Sequence, residues 1–522
     1  MPAKSLVIAA VLLSCSFNAS ATAAPSYQQG SKLVGTGAVG AAGQGASVAL
    51  SANGNTAIVG GYQDNGGAGA AWVFTRSGGV WSQQGSKLVG TGAVGLANQG
   101  ISVSLSADGN TAIVGGNNDH GGAGAAWVYT RSGGVWNQQG AKLVGTGAVG
   151  TVVYQGTSVA LSGDGNTAIV GGPEDNHQAG AAWMYTRSGG IWSQQGAKLV
   201  GIGGLGAAQL GFSVALSADT TLVARGNIAM VGGPLDNSGG SGNGAAWMFT
   251  QGSGMWGQQG DRLAGTGAVE PAYQGTSVAL SADGSTGIVG GSNDNSGVGA
   301  VWAYRGNGVT WSQPGLKLVG TGAGGSANQG TSVALSADGN TAMVGGYNDN
   351  SGAGAAWVYT QSGNAIWSQQ GLKLVGTGAV GNANQGSSIA LSGDGNTAIV
   401  GGYQDNSGAG AAWVFIDPAI LAGSPPPVLP TALQLAPPFP NPSTSEITVS
   451  FSLPRDADVT LGVYDIAGRS VRTLVSGAAV AGEHTIGWDG RTLASQSAQS
   501  GIYFLALRVG GDQLTRRFVL LR

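Results

Sequence analysis

An all-β fold in two modules is predicted by three observations: one tryptophan returns at nearly constant spacing, short apolar runs alternate with glycine turns, and the pattern changes after a proline tract. Trp72, Trp127, Trp183, Trp247, Trp302, Trp357 and Trp413 lie 55, 56, 64, 55, 55 and 56 residues apart. A second set, Trp81, Trp136, Trp192, Trp256, Trp311 and Trp367, leaves only Trp488 of the 14 tryptophans outside the array. A period of this length marks a repeat architecture.

Composition narrows the class. Glycine supplies 100 of 522 residues and charged residues only 9%, while hydrophobic residues stand at 42%. That excludes a charge-driven disordered chain, and the lack of a three-residue period excludes collagen. A net charge of -3 gives no strong pull toward nucleic acid or an anionic membrane.

Each unit carries four strand signals. GxSVALS comes first, then a turn with Asp-Gly at 108–109, 164–165, 283–284, 338–339 and 394–395. Asp-Gly between apolar runs is a hairpin signal because the tight turn needs positive φ. TAIVGG is second, AGAAWVF third, and VWSQQGxKLVG, after RSGG, fourth. In AAWVF the tryptophan and the next aromatic share one face and small residues the other. Large residues facing small ones let neighbouring sheets approach, so each unit reads as a four-stranded blade and the seven as a β-propeller. Open stacking as a solenoid is the alternative.

The ends favour the propeller. Unit seven stops at AAWVFIDP without its fourth strand, and residues 26–35, SYQQGSKLVG, supply one with no unit before it. Pairing residues 27–34 with 412–415 would close a ring and remove two strand edges. A solenoid would carry polar caps instead. The expected module is therefore a seven-bladed β-propeller over 26–416, closed by the N-terminal strand. The units resemble FG-GAP repeats, the blades of integrin α-chain propellers and of many secreted bacterial proteins. The FG position reads Gln-Gly in six units (Gln44-Gly45, Gln155-Gly156) and Leu210-Gly211-Phe212 in the fourth. The GAP position reads Gly-Gly-Pro at 171–173 and 232–234, and Gly-Gly-Tyr, -Asn or -Ser elsewhere.

Residues 1–23 have a basic start, an apolar run and small residues, as a secretory signal peptide does, too short to span a bilayer. Cleavage would follow Ala21 or Ala23; the rival reading takes Leu12 to Cys15 as a lipoprotein box. Cys15 is the sole cysteine, so the mature chain has no disulfide. Nine of 16 prolines fall between Pro418 and Pro442 and mark 417–440 as a semi-rigid linker. Unit four carries nine additional residues, in its turn and its next loop.

From 441 to 522 alternating patterns give six or seven strands, a small Ig-like β-sandwich. The stretch resembles the type A sorting domain of type IX secretion and the related Ig-like domain of flagellar hook-capping proteins. The matching residues are Asn441-Pro442, Tyr464-Asp465 with Ala467-Gly468-Arg469, Gly482-Glu483-His484 with Trp488-Asp489-Gly490, and Ser500-Gly501-Ile502-Tyr503-Phe504, followed by the basic-apolar end from Thr515 to Arg522. The resemblance implies a secretion address that engages secretion machinery.

Candidate chemistry is sparse. Each unit has one Asp before AAW: Asp64, Asp119, Asp175, Asp236, Asp294, Asp349 and Asp405. Ca²⁺ needs six to eight oxygens, so one carboxylate per loop offers weak ion binding at most; the competing expectation is an Asx turn. His120 and His177 occupy matching loops but lack the partners of a zinc site. No Ser–His–Asp constellation can be placed, no helix follows the GxG strings, and Glu174 with Asp175 is the only adjacent acidic pair in the array. Both tryptophan sets are expected in the core. Tyr62, Asn117, Glu174, Tyr347 and Tyr403, beside the Asp loops, are the expected ligand surface. The sequence thus predicts a secreted or outer-surface bacterial binding protein, non-enzymatic and without a cofactor, directed at an extracellular protein or glycan. A lectin and a polysaccharide-active enzyme are the alternatives.

Overall fold

The computed structural model describes residues 24–217, 227–237, 242–252, 254–307, 310–362, 366–418, 432–444, 447–454, 457–479, 482–493 and 496–521. The leader with Cys15, the lengthened turn of unit four and most of the proline tract lie outside the described residues. The chain divides into two compact units, Met1–Ile420 and Leu421–Arg522.

The first is all-β, a succession of four-stranded antiparallel sheets of the propeller-blade kind. Strand β1 (Tyr27–Gln28) is followed by β2 (Ser47–Leu50), β3 (Thr56–Gly61), β4 (Ala70–Ser77) and β5 (Val80–Gln83), and β2 to β5 form one sheet in that order. Local chemistry sets both hairpins. Gly54 (φ 65) closes the β2–β3 turn by donating to Ser51 O at 2.9 Å. Gly78 (φ 56) and Gly79 (φ 82) form the two-residue β4–β5 turn, whose positive φ values match the twist of the flanking strands.

Among the described residues six sheets use consecutive strands, and a seventh differs. Its strands Ser388–Leu391, Thr397–Gly402 and Ala411–Ile416 are completed by β1, with Tyr27 opposite Ile416 and Gln28 opposite Phe415. The expected long fourth strand is interrupted: β5 ends at Gln83, and the chain rejoins the sheet only where Leu88 bridges Ala71. Gly85 (φ 72) turns the backbone out, and Gln83 Nε2 donates to its carbonyl at 2.8 Å. The N-terminal stretch repeats this break, with Leu33 bridging Ala412.

Sheets pack large face to small face. Trp72 and Phe74 are buried with Ile399, Ala412 and Val414 of the seventh sheet, while Ile58, Ala71 and Val73 on the opposite face receive Trp127 and Tyr129 of the second. All seven AAW tryptophans are buried, as expected. Two glycines show why the composition is so skewed. A Cβ on Gly35 would lie 2.1 Å from the Trp72 ring, and one on Gly60 would lie 2.1 Å from the Gly100 carbonyl of the next sheet. The first strand of each sheet lies against that of the next, and Ser388–Leu391 lies against β2.

The second tryptophan set is not core. Trp81 and its equivalents are half-buried on the outer strands. Arg76 stacks over Trp81 at 5.4 Å, and the indole N–H donates to Gln29 Oε1 at 3.1 Å. One sheet on, Gln84 Oε1 accepts from both Trp136 Nε1 and Arg131 Nη1. Gln29, Gln84, Gln139, Gln195 and Gln259 thus each tie one sheet to its neighbour, whereas Gln370 turns back to the nearby Ser368.

The C-terminal unit is a sandwich of two sheets. One holds Gln434–Leu435, Ile447–Leu453 and Gly482–Trp488; the other Ser470–Ala479, Ala457–Asp465, Gly501–Val509 and Asp512–Leu520. Strand Gln434–Leu435 falls inside the stretch expected to be a spacer. It pairs with Ser452 and Phe451 because the prolines flank it instead of interrupting it. Trp488, Tyr503 and Phe518 cluster in the core with centroids 5.6–5.8 Å apart, and Tyr503 Oη donates to Gln499 O at 2.8 Å, a tyrosine corner.

Candidate ligand-binding loops

Two loops emerge at the same end of every sheet in the first unit. One leads into the first strand (residues 36–46 before β2), and the other joins the second strand to the third (62–69). In the second loop Asp64 opens a left-handed turn through Asn65 (φ 51) and Gly66 (φ 68), conformations that asparagine and glycine adopt most readily.

The seven loop aspartates hold the two loops together. Asp64 is buried; its Oδ1 accepts from Val39 N at 2.7 Å and its Oδ2 from Lys87 Nζ at 2.6 Å. The arrangement recurs as Asp119–Lys142, Asp175–Lys198, Asp294–Lys317, Asp349–Lys373 and Asp405–Lys32, and as Asp236–Arg262 in unit four. The Asx-turn expectation for these residues is therefore replaced: their carboxylates reach across to the preceding loop and to a cation 23 to 26 residues on, or, for Asp405, to Lys32 near the N-terminus. As weak ion candidates Asp64, Asp119, Asp175, Asp236, Asp294, Asp349 and Asp405 are each met by a side-chain cation of the protein itself. The Asx geometry occurs at the other end of the sheets, where Asp108 Oδ1 accepts from Asn110 N at 2.9 Å and from Ser106 Oγ. Among the described residues no group of three or more His, Cys, Asp or Glu is placed to hold a metal.

Two structural roles escaped the sequence reading. The lysine of each KLVG recurs in phase with the Asp, a signal that was there to be found. The glutamine at the FG position acts as a spare peptide group: Gln155 Oε1 accepts from Gly145 N at 2.6 Å, and its Nε2 donates to Gly145 O at 3.1 Å. Leu210 takes that place in unit four.

The expected ligand residues are brought together in part. Tyr347, Tyr403 and Tyr62 stand at one position in units six, seven and one, half-exposed. Burial and the adjacent Tyr403 push the Tyr62 phenol above its ordinary range, against a hydrogen bond from Gln63. Asn117 follows in unit two, donating to Thr157 Oγ1 at 3.4 Å. Glu174 lies apart in the second loop of unit three, where its Oε1 accepts at 2.8 Å from Gln209 Nε2 of the first loop of unit four. His120 and His177 are exposed in left-handed turns of neighbouring units.

The first strands line an open hollow of about 190 Å³, with a serine and an aliphatic residue from every sheet, from Ser47-Val48 to Ser388-Ile389. The serine hydroxyls are committed: Ser47 Oγ donates to Gly100 O at 2.8 Å, and Ser388 Oγ to Gly45 O.

The chain thus combines repeated four-stranded sheets of the propeller-blade kind with an Ig-like domain. Residues 441–511 match the family model of the FlgD Ig-like domain. No curated protein matches the chain. Among solved structures, hydrazine synthase of Kuenenia stuttgartiensis is 12% identical, with a TM-score of 0.41 over 72% of this chain and 96% of that one. PorZ of Porphyromonas gingivalis, an essential bacterial surface component of the type IX secretion system, is 14% identical (TM-score 0.37), covering 91% of this chain and 59% of its own. A putative TolB of Agrobacterium tumefaciens is 11% identical, with a TM-score of 0.32 over 65% of this chain and 94% of that one. Among the described residues no helix is long and apolar enough to cross a membrane.

Proposed function

We propose that this is a secreted or cell-surface binding protein of a bacterium, without enzymatic activity, that presents loops of a closed seven-bladed, FG-GAP-like propeller to an extracellular ligand. The observation that carries the reading is the contrast between a uniform interior and varied loops. The sheets repeat their buried residues nearly unchanged, while side chains beside the Asp turns differ from unit to unit, including Tyr62, Asn117, Glu174, Tyr347 and Tyr403. Closure is supported by the pairing of β1 with the last sheet and by the hollow to which all seven first strands contribute. The C-terminal Ig-like domain serves as the secretion and surface address of type IX type, a role supported by its residue-level resemblance to such sorting domains. The walls of the central hollow, serine, alanine, threonine and aliphatic side chains apart from Phe212, offer no acid–base pair for hydrolysis.

The test is a binding screen of the full chain against extracellular-matrix proteins and polysaccharides, with and without Ca²⁺. Saturable binding, unchanged by chelator and reduced by substitution of the loop tyrosines, is expected. Absence of any ligand, or turnover of a polysaccharide, would overturn it.

A further inference from the structure

Unit three departs from the repeat at several places that lie together in space. Its first loop is one residue longer than the others: 150–154 reads Gly-Thr-Val-Val-Tyr where unit two has Gly-Leu-Ala-Asn at 95–98. Tyr154 takes the left-handed position (φ 56) that Asn98, Asn328 and Asn384 fill in units two, six and seven and that Tyr273 shares in unit five. Its ring lies over Gly122 of the preceding unit, where a Cβ would sit 2.9 Å from it. In the second loop Glu174 stands where Gln63 and Gln404 stand in units one and seven, and His177-Gln178 replace Gly-Gly or Ser-Gly. Asn176, His177 and Gln178 are all left-handed (φ 49, 58 and 69), the third at a position where Gly67, Gly122, Gly297, Gly352 and Gly408 serve in other units. Non-glycine residues in this region cost on the order of 1 kcal/mol or more each, and strain of this kind gathers at ligand sites.

These departures bound one pocket of about 440 Å³, with Val149, Thr151 and Val152 on one wall and Glu174, His177 and Gln178 on the other. Its size suits one or two sugar rings. No lysine or arginine lines it, so phosphate, sulfate and uronate find no countercharge. Glu174 is held by Gln209 and can accept from hydroxyls. The Gln178 amide and the Thr151 hydroxyl both donate and accept, and the His177 ring offers an N–H donor. Val149 and Val152, 47% and 42% exposed, present an apolar strip for the C–H face of a ring.

We propose that this pocket is a subsite for an uncharged sugar unit of a polysaccharide, one or two residues long. The inference rests on the reading of the chain as a binding protein and names a ligand class for one of its loops.

The experiment is calorimetric titration of the full chain with neutral pentasaccharides of glucose, mannose, galactose and N-acetylglucosamine, beside oligogalacturonate and a lysine-rich peptide. The comparison variant combines His177→Ser, Gln178→Gly and Glu174→Gln. It gives the loop the Gln-Asp-Asn-Ser-Gly of unit seven, so it should fold with an unchanged or raised Tm. Saturable binding of at least one neutral pentasaccharide, weakened tenfold or more in the variant, is expected. No neutral binding at roughly 10 mM ligand, equal binding by the variant, or preference for either charged probe would overturn the proposal. A parent chain that binds a matrix protein but no sugar would sink this inference and leave the proposed function standing.

Discussion

Tyr129, Tyr185, Tyr304 and Tyr359 are buried between sheets, and their hydroxyls have no hydrogen-bond partner among the described residues. Burial pushes each phenol well above its ordinary range. Phe74, Phe249 and Phe415 hold the same position in the other units, so the ring fills the space and the oxygen adds nothing. Tyr185→Phe should leave stability unchanged or raise it by up to about 1 kcal/mol, since an unmet buried hydroxyl is a cost. Trp183→Ala, by contrast, should cost about 3–5 kcal/mol through the cavity it opens. Urea unfolding of both variants separates the two roles. The tryptophan burial was legible in the sequence, because a residue repeated in every unit is filler that every interface needs. The fate of Trp81 was not legible: an aromatic beside an exposed valine reads equally well as core or as an outer-strand platform, and only the neighbouring Arg76 and Gln29 decide it.

At the scale of turns and loops, two aspartate sets with similar local sequence do different work. Asp108 and Asp338 sit in the β-turns. Partial burial alone would raise their carboxyls, but hydrogen bonds from Ser106 and Asn110, and from Ser336 and Asn340, hold both below the usual range. A depressed folded-state pKa means that the stabilisation is present above the unfolded value of about 3.9 and is lost as pH falls through the folded value. Asp108→Asn should therefore flatten the decline of the denaturation midpoint on acidification below about pH 4, with little change at pH 7. Asn53, which makes the same contacts in unit one, is the natural precedent. The loop aspartates misled the sequence reading because their partners are remote: a backbone N–H 25 residues before Asp64 and an ammonium 23 residues after it. Neither neighbour is visible in a window of turn length. The hairpins, by contrast, were legible because glycine with positive φ settles them locally.

For the whole molecule, the strand count per unit and the stacking of large on small faces followed from side-chain alternation, which is a local property. The extent of β1 did not, since pairing stops wherever Gly30 and its equivalents turn the backbone away from the sheet. Deleting residues 24–33 should expose the edge of Ala411–Ile416 and remove Lys32 from the buried Asp405. An uncompensated buried carboxylate is strongly destabilising. We expect a lower Tm and concentration-dependent aggregation, both reversed by adding a peptide of residues 24–35, as read by light scattering and thermal unfolding. Lys32 and Asp405 are 373 positions apart in the chain, which imposes an order on synthesis. This stretch is translated ahead of all seven units yet pairs with the last of them, so the nascent polypeptide must carry an orphaned ribbon until nearly the whole array has been made.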